Sequence, residues 1–338
     1  MSSNPNNPKL NIQAFADQSG EYKRKASVFR DFISSSAGSK FLPEKNRYHL
    51  YVSYACPWAH RTLIVRALKG LVPLIGVSVV HWHMDNKGWR FPSKDDQCEG
   101  ATPDEIYGFR RIRELYLKAN SNYDGRFTVP VLWDKKNETI VNNESSEIIR
   151  MFNTDFNSFS ELSDAQKKLN FYPDELKDEI DELNEWIYDN INNGVYKSGF
   201  ATKQEVYETH VKNLFKYLGK VEEILKENYT KNGEENSEKN GFYLVGNRLT
   251  EADIRLYTTI IRFDAIYVQH FKCNLGMIRY DFSYLHKWVR YLYWKIPGFK
   301  ETTNFDHIKF HYTKSHPAIN PYGITPLGPK VNILPYDG

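Results

Sequence analysis

Tyr48-His49-Leu50-Tyr51-Val52-Ser53-Tyr54-Ala55-Cys56-Pro57-Trp58-Ala59-His60-Arg61 is the stretch that decides the fold. Residues 48–53 alternate apolar and polar side chains as a half-buried strand does. From residue 57 to 71 the apolar positions Ala59, Leu63, Ala67 and Leu71 fall at helical spacing. The reading is a strand, a tight turn and a helix, with a cysteine at the turn. Working outward, residues 77–80 predict a second strand, 106–119 a helix and 129–133 a third strand. Residues 140–142 pair with that third strand across the polar turn 134–138, and 145–153 close the unit as a helix. The order β-α-β-α-β-β-α predicts an α/β unit with helices on both faces of a small mixed sheet. Residues 84–102 form a long polar insertion carrying Trp89, which a minimal unit of this kind would not need.

Ahead of this unit, residues 1–45 are rich in Asn, Ser, Gly and Lys with few periodic apolar positions, which predicts an extended arm lying on a domain. After residue 153 the period becomes 3.6. Leu176, Ile180, Leu183, Ile187 and Ile191 line one helix face, and Tyr207, Val211, Leu214, Leu218, Val221 and Leu225 line another. The second half is therefore expected to be a helical bundle. Residues 228–241, dominated by Asn, Glu and Lys, read as a solvated, mobile loop that buries too little apolar area to order itself. Thr250 with Asp253 three residues on is a capping-box pattern that starts a buried helix through Ile254, Tyr257, Ile261 and Ala265. From His316 onward five prolines predict an extended tail. The expected division is an arm over 1–45, an α/β domain over 46–155, an all-helical domain over 165–315 and a tail over 316–338.

Composition excludes several classes of function. The chain has 338 residues, enough for about two domains, and 41% of them are hydrophobic, enough for a sizeable core. Forty-five basic residues against 42 acidic ones leave a formal charge of +3, with no Lys/Arg block able to track a phosphate backbone, so no nucleic-acid partner is expected. Apolar runs such as 71–80 stop near ten residues where a bilayer needs about twenty, and the Asn/Pro-rich start has no apolar signal region. The expectation is a soluble protein of the cytoplasm with no membrane partner, and the carboxyl end is no peroxisomal address. Three widely spaced cysteines, Cys56, Cys98 and Cys273, fit a reducing compartment rather than a disulfide framework. No Gly-rich phosphate loop occurs. His307, His311 and His316, the first two four apart as on one helix face, could be taken as metal ligands, but no Cys or carboxylate set converges with them, so no metal is expected. One surplus stands out: 23 Tyr, 20 Phe and 7 Trp, more ring surface than an ordinary core demands.

The chemistry concentrates at Cys56. A thiol at the start of a helix faces unpaired N–H groups and the positive end of the dipole, both of which favour the thiolate. The place a resolving thiol would take, three residues on, is held by Ala59, so Cys56 has to be resolved by an external thiol. His60 and Arg61 either add positive potential or are solvated. The plainer alternative is a buried, inert cysteine, and that is the preferred reading of Cys98 and Cys273. Thr128-Val129-Pro130-Val131 puts a proline at the start of a strand that otherwise looks central. A cis Val129–Pro130 bond would explain it and would leave the Val129 backbone to pair with a peptide-like ligand; an edge-strand proline is the alternative. Glu144-Ser145-Ser146 opens a helix and offers a seat for a carboxylate, or is simply an N-cap.

Thiolate, cis-proline backbone and carboxylate seat together describe a site for a γ-glutamyl tripeptide thiol. An α/β unit with a Cys-Pro-x-x turn, followed by an all-helical domain with the capping box, resembles a cytosolic glutathione transferase of the cysteine type, related to the omega class. More specifically, residues 53–61, Gly88-Trp89, residues 125–133, Asn192-Asn193-Gly194-Val195-Tyr196, and the run from Asn304-Phe305-Asp306-His307-Ile308 to Ile319-Asn320-Pro321 resemble the glutathionyl-hydroquinone reductases, or xi-class transferases. The resemblance implies a thioredoxin-like N-terminal domain, a helical-bundle C-terminal domain and a homodimer. It also implies glutathione as co-substrate, no metal, and small aromatic glutathione adducts as substrates. Carried over residue by residue, Cys56 is the nucleophile; Trp89, Arg126, Val129, Glu144 and Ser145 hold glutathione; Tyr196 and Tyr312 hold the hydroquinone ring, one of them supplying the proton. From the residues alone, Tyr196 is a bundle tyrosine and Tyr312 a tail tyrosine. The other functions to weigh are an omega-like thioltransferase or dehydroascorbate reductase, and a non-catalytic module on the same scaffold.

Overall fold

A computed structural model describes residues 16–336; the first fifteen residues of the expected arm and the last two of the tail lie outside the described residues. The chain forms two compact units, one of residues 25–169 with 306–325, the other of residues 16–24, 170–305 and 326–336.

In the first unit the elements run β1 (Tyr48–Val52), α1 (Pro57–Leu68), β2 (Gly76–Val79), a short hairpin of β3 (Met84–Asp85) and β4 (Gly88–Trp89), α2 (Ile112–Ala119), β5 (Val131–Asp134), β6 (Thr139–Asn142), α3 (Ser145–Thr154) and α4 (Asp164–Lys168). The sheet order is β2-β1-β5-β6, with β1 parallel to β2 and the other pairs antiparallel. Every residue of β1 is buried. A strand covered on both faces needs helices on both, which the alternating β-α order supplies. The free edge of β6 is covered by the arm: Asp31 N–H donates to the Val141 carbonyl at 3.0 Å and Asn143 N–H to the Phe29 carbonyl at 3.1 Å. At the far end of α1 the buried Lys69 ammonium donates to the Leu169 carbonyl at 2.6 Å, and burial pushes its pKa down to about 8.

The helix expected over 106–119 begins only at Ile112. Asp104 explains the delay, because its carboxylate accepts the N–H groups of Ile106, Tyr107 and Phe109 at 3.2, 3.3 and 3.0 Å and so competes with helical bonding. Gly108, at φ +67°, then turns the chain out of the helical region. The helix starts where the Glu114 carboxylate accepts the Arg111 N–H at 2.8 Å.

The second unit is all-helical. After a single 3₁₀ turn (Asp174–Leu176), α5 (Lys177–Ile187) runs into a π-helical turn (Tyr188–Asn192), and α6 (Gly194–Gly199) precedes the long α7 (Gln204–Asn232). Then come α8 (Glu234–Asn240), α9 (Glu251–Arg262), a second π segment (Phe263–Tyr267), α10 (Val268–His270), α11 (Ile278–Asp281) and α12 (Ser283–Lys295). The predicted stripes are buried at Ile180, Leu183, Ile187 and Ile191 and at Val211, Leu214, Leu218, Val221 and Leu225. The expected capping box is present. The buried Asp253 carboxylate accepts from Thr250 N–H at 3.0 Å, Leu244 N–H at 2.9 Å and the Trp288 indole at 3.1 Å, yet burial still raises its pKa to about 6.

The loop expected over 228–241 is helical, the end of α7 and all of α8 joined at Gly233 (φ +80°). Its polar residues are ordered by partners distant in sequence. Glu238 accepts from Tyr229 and Tyr336 hydroxyls at 2.9 Å each and from the Lys287 ammonium at 2.8 Å, and Asn228 donates to the Tyr243 carbonyl at 2.7 Å. The end of the chain is strapped to the same unit, with Arg279, Trp294 and Arg290 donating to the carbonyls of Asn332, Leu334 and Pro335. Last, α13 (Phe305–Ser315) belongs, from Asp306 on, to the first unit. It packs on the polar insertion and the residues just before it: Ser315 Oγ accepts the Met84 N–H at 3.0 Å, and His307 and His311 bond the carbonyls of Glu99 and Trp82 at 2.8 and 2.9 Å. Among the described residues no helix is long and apolar enough to cross a membrane.

Candidate active site

Cys56 is the N-cap of α1, in extended conformation (φ −77°, ψ 119°), with Pro57 as the first helical residue. Proline suits that place because its fixed φ is helical and the N–H it lacks would have had no helical partner. The turn is closed by Cys56 N–H donating to the Ser53 carbonyl at 3.2 Å, and the helix opens with His60 N–H donating to the Cys56 carbonyl at 3.0 Å. The sulfur therefore stands at the positive end of a 12-residue helix, where the dipole and the first N–H groups favour an anion. Its thiol lies 3.5 Å from the Val129 carbonyl oxygen.

The Val129–Pro130 bond is cis, the first of the two readings that the sequence left open for this proline. The loop leading to it is braced by rings. Tyr116 hydroxyl donates to the Thr128 carbonyl at 2.9 Å and accepts from the Asn143 amide at 3.0 Å, while Tyr123 hydroxyl donates to the Arg126 carbonyl at 2.8 Å. Phe29 and Phe127 pack on both tyrosines, with centroids between 5.5 and 5.8 Å apart. A Cβ at Gly125 would come within 2.5 Å of the Tyr123 hydroxyl, so that bond requires glycine there.

The third element is the start of α3. Glu144 is its N-cap, accepting from the Ser146 N–H at 3.2 Å, and Ser145 Oγ and Ser27 Oγ reach the same carboxylate at 3.4 and 3.2 Å. Arg61, one turn after Cys56 on α1, donates to Ser145 Oγ at 3.4 Å with its guanidinium 4.5 Å from the Trp58 ring. Arg61 is buried, so this cation is held between the Cys56 helix and the Glu144 helix rather than solvated. Sequence reading left that choice open; the signal available was a single arginine one turn into the helix.

Trp89, on β4, is buried and stacks on His311 with centroids 4.6 Å apart. Tyr312 follows on α13, 2% exposed, with the rings of His311 and His316 edge-on to it at 5.2 and 5.6 Å. Trp89 and Tyr312 thus meet through His311, in the unit that holds Cys56. The His307 ring packs edge-on against Tyr54, two residues before Cys56, at 5.4 Å. Among the described residues no group of three or more His, Cys, Asp or Glu side chains is placed to hold a metal ion. Tyr196, on α6, belongs to the other unit and is half-buried among Tyr22, Phe200, Tyr267 and Phe271.

None of the three cysteines is in a disulfide. Burial pushes the thiols of Cys98 and Cys273 up in pKa, which disfavours the nucleophilic thiolate at both. Cys98 Sγ lies 3.7 Å from His307 Nε2, and Cys273 faces the carbonyls of Phe271 and Val195 at 3.8 and 4.0 Å.

Comparison with known proteins shows the family. Residues 55–155 match the model of the glutathione S-transferase N-terminal domain and residues 204–290 that of the C-terminal domain. The chain is 51% identical to glutathione S-transferase omega-like 2 of Saccharomyces cerevisiae, over 94% of this chain and 97% of that one. It is also 51% identical to the glutathionyl-hydroquinone reductase YqjG of Escherichia coli, over 92% of this chain and 89% of that one. The solved Xi glutathione transferase ECM4 of Saccharomyces cerevisiae in complex with glutathione superposes with a TM-score of 0.89 at 52% identity, covering 94% of this chain and all of that one.

Proposed function

The chain belongs to the glutathione S-transferases, in their xi-class, omega-like branch, and from that premise we propose that it reduces glutathionyl-hydroquinones to hydroquinones with glutathione as reductant. The observation that carries this reading is Cys56 as N-cap of α1 with Ala59 where a second thiol would stand. A lone thiol so placed forms a mixed disulfide that only an outside thiol can resolve. Names among the relatives support the substrate class, since two of them are called glutathionyl-hydroquinone reductases.

In the proposed cycle the Cys56 thiolate attacks the sulfur of the bound adduct. A sulfur–sulfur bond forms as the bond from sulfur to the aromatic carbon breaks; the electron pair stays on that carbon, which takes a proton. A second glutathione thiolate then attacks the mixed disulfide, giving glutathione disulfide and the Cys56 thiolate again. The adduct is reduced by two electrons, two glutathionyl sulfurs are oxidised to a disulfide, and the second glutathione's proton makes good the one lost to carbon. Glutathione itself would be held by the Val129 backbone, whose pairing suits a peptide, by Trp89, by Glu144 and Ser145 at the α3 N-terminus, and by Arg126, whose forked donors suit a carboxylate. Arg61, a buried cation reaching Ser145, would steady the same seat. Tyr196 and Tyr312 would hold the hydroquinone hydroxyls, and one of them would protonate the leaving carbon.

Mass spectrometry after mixing with a glutathionyl-hydroquinone tests the cycle. A glutathione adduct on Cys56 with release of hydroquinone is expected, both lost in Cys56→Ser. Turnover that persists unchanged in Cys56→Ser would overturn the mechanism, and turnover of glutathione disulfides without aromatic adducts would reassign the substrate.

A further inference from the structure

The arm carries a ring that the proposed cycle does not use. Residues 16–22 close into a small hairpin: Ala16 bridges Tyr22 in antiparallel fashion, Asp17 N–H donates to the Glu21 carbonyl and Gly20 N–H to the Asp17 carbonyl, each at 3.0 Å. The Asp17 carboxylate adds an acceptor for Ser19 N–H and an ion pair with Lys23, both at 2.8 Å. The hairpin is fixed just before α7, where Thr202 N–H donates to the Gly20 carbonyl at 3.2 Å. Gly20 sits at φ +91°, and a Cβ there would lie 3.0 and 3.1 Å from Lys203 and Thr202, so this close approach depends on glycine.

What the hairpin presents is Tyr22. Only 7% of it is exposed, and its ring stacks on Tyr196 with centroids 5.8 Å apart and planes 26° from parallel, and on Phe200 at 5.8 Å and 27°. Phe271 and Tyr267 meet the same Tyr196 ring edge-on, at 5.4 and 6.2 Å. A tyrosine hydroxyl points wherever its ring is held, and this ring is held by stacked and edge-on neighbours. We infer that Tyr22 is a positioning residue: by stacking on Tyr196 it aims that hydroxyl, which makes the hairpin of residues 16–22 a specificity element for aromatic glutathione adducts over non-aromatic glutathione disulfides. The inference rests on the role proposed above for Tyr196. Its chemical basis is that cleaving a carbon–sulfur bond leaves a carbon needing a proton and a ring needing hydroxyl partners. Cleaving a mixed disulfide expels a thiolate that needs neither.

The test measures kcat and KM of the full chain for glutathionyl-1,4-hydroquinone and for the mixed disulfide of glutathione with 2-mercaptoethanol. In Tyr22→Ala, kcat/KM for the hydroquinone adduct is expected to fall about five- to tenfold, the scale of a lost aromatic pair. Disulfide turnover should stay close to wild type, which also reports that the variant is folded. Tyr22→Phe, which keeps the stack, should keep aromatic turnover; Gly20→Val, which forces the hairpin off Thr202, should reproduce Tyr22→Ala. An equal fall for both substrates, or full aromatic turnover in Tyr22→Ala, would overturn the inference. Failure of the underlying reading has its own signature, wild-type aromatic turnover in Tyr196→Phe, and in that case the assignment to Tyr22 falls with it.

Discussion

Cys56 has Ala59 rather than a second thiol three residues on, which is why the proposed cycle ends with a thiol from solution. That much is local and readable from residues 53–61: the strand end, the proline and the helical spacing put a cysteine at a helix N-terminus whatever the rest of the chain does. Arg61 was not readable in the same way, because the Ser145 contact that helps to bury it joins two helices more than 80 residues apart in sequence. Tyr312 lies between. Its ring is packed by His311 and His316, so Tyr312→Phe keeps the packing and deletes only the hydroxyl. If that hydroxyl serves the leaving carbon, Tyr312→Phe will slow hydroquinone release at least about tenfold, a modest share of what general acids contribute. Disulfide exchange at Cys56 should be nearly unchanged. Steady-state rates with both substrate types decide it, and an equal fall in the two would remove Tyr312 from the proton path.

Among the elements, α9 shows what a short pattern specifies. Thr250 and Asp253 predict a capping box, and the box is there, but Asp253 also takes the Leu244 N–H and the Trp288 indole, which no sequence pattern announces. Asp253→Ala would leave these buried donors without acceptors, and at about 1–3 kcal/mol for each unsatisfied group the helical unit should lose at least about 3 kcal/mol of stability. Asp253→Asn, which keeps one acceptor oxygen, should lose less. Urea unfolding of the two variants gives the comparison, and equal loss in both would mean that the carboxylate's acceptors are not what matters. The stretch over 228–241 failed as a sequence reading for the matching reason. Its Asn, Glu and Lys residues look solvated by composition, yet Tyr229, Lys287 and Tyr336 converge on Glu238 and give α8 its tertiary support. The late start of α2 is a third case, where one aspartate, Asp104, outbids helical spacing for three N–H groups. Periodic apolar stripes and caps were legible; polar side chains with distant partners were not.

For the whole molecule, the surplus of rings counted in the sequence becomes packing: the Phe29–Tyr116–Tyr123–Phe127 brace under the cis-proline loop, and the Tyr22–Tyr196–Phe200–Phe271 group in the helical unit. Burial of that kind extends to titratable groups and sets how stability varies with pH. His49, His81, His270 and His286 are pushed down to about 4 by burial, against an ordinary value near 6.5. Above about pH 7.5 these imidazoles are largely neutral whether the chain is folded or not, and they make little difference. As the pH falls from about 7.5 towards 4, the unfolded chain takes up protons that the folded one refuses, so each histidine draws the equilibrium towards unfolding. Asp253 and Asp155 work in the opposite sense. Burial raises both to about 6, so between pH 6 and their ordinary value near 4 the folded chain holds protons that the unfolded one releases. Four histidines outweigh two aspartates through that window, and between pH 6.5 and 6 the histidines act alone. His83, His210 and His307 are shifted down as well and add to the same side. The urea midpoint should therefore change little between pH 8 and 7.5 and should decline from 7.5 to 4.5. A midpoint that holds or rises over the lower interval would show that the buried histidines are not neutral in the folded chain.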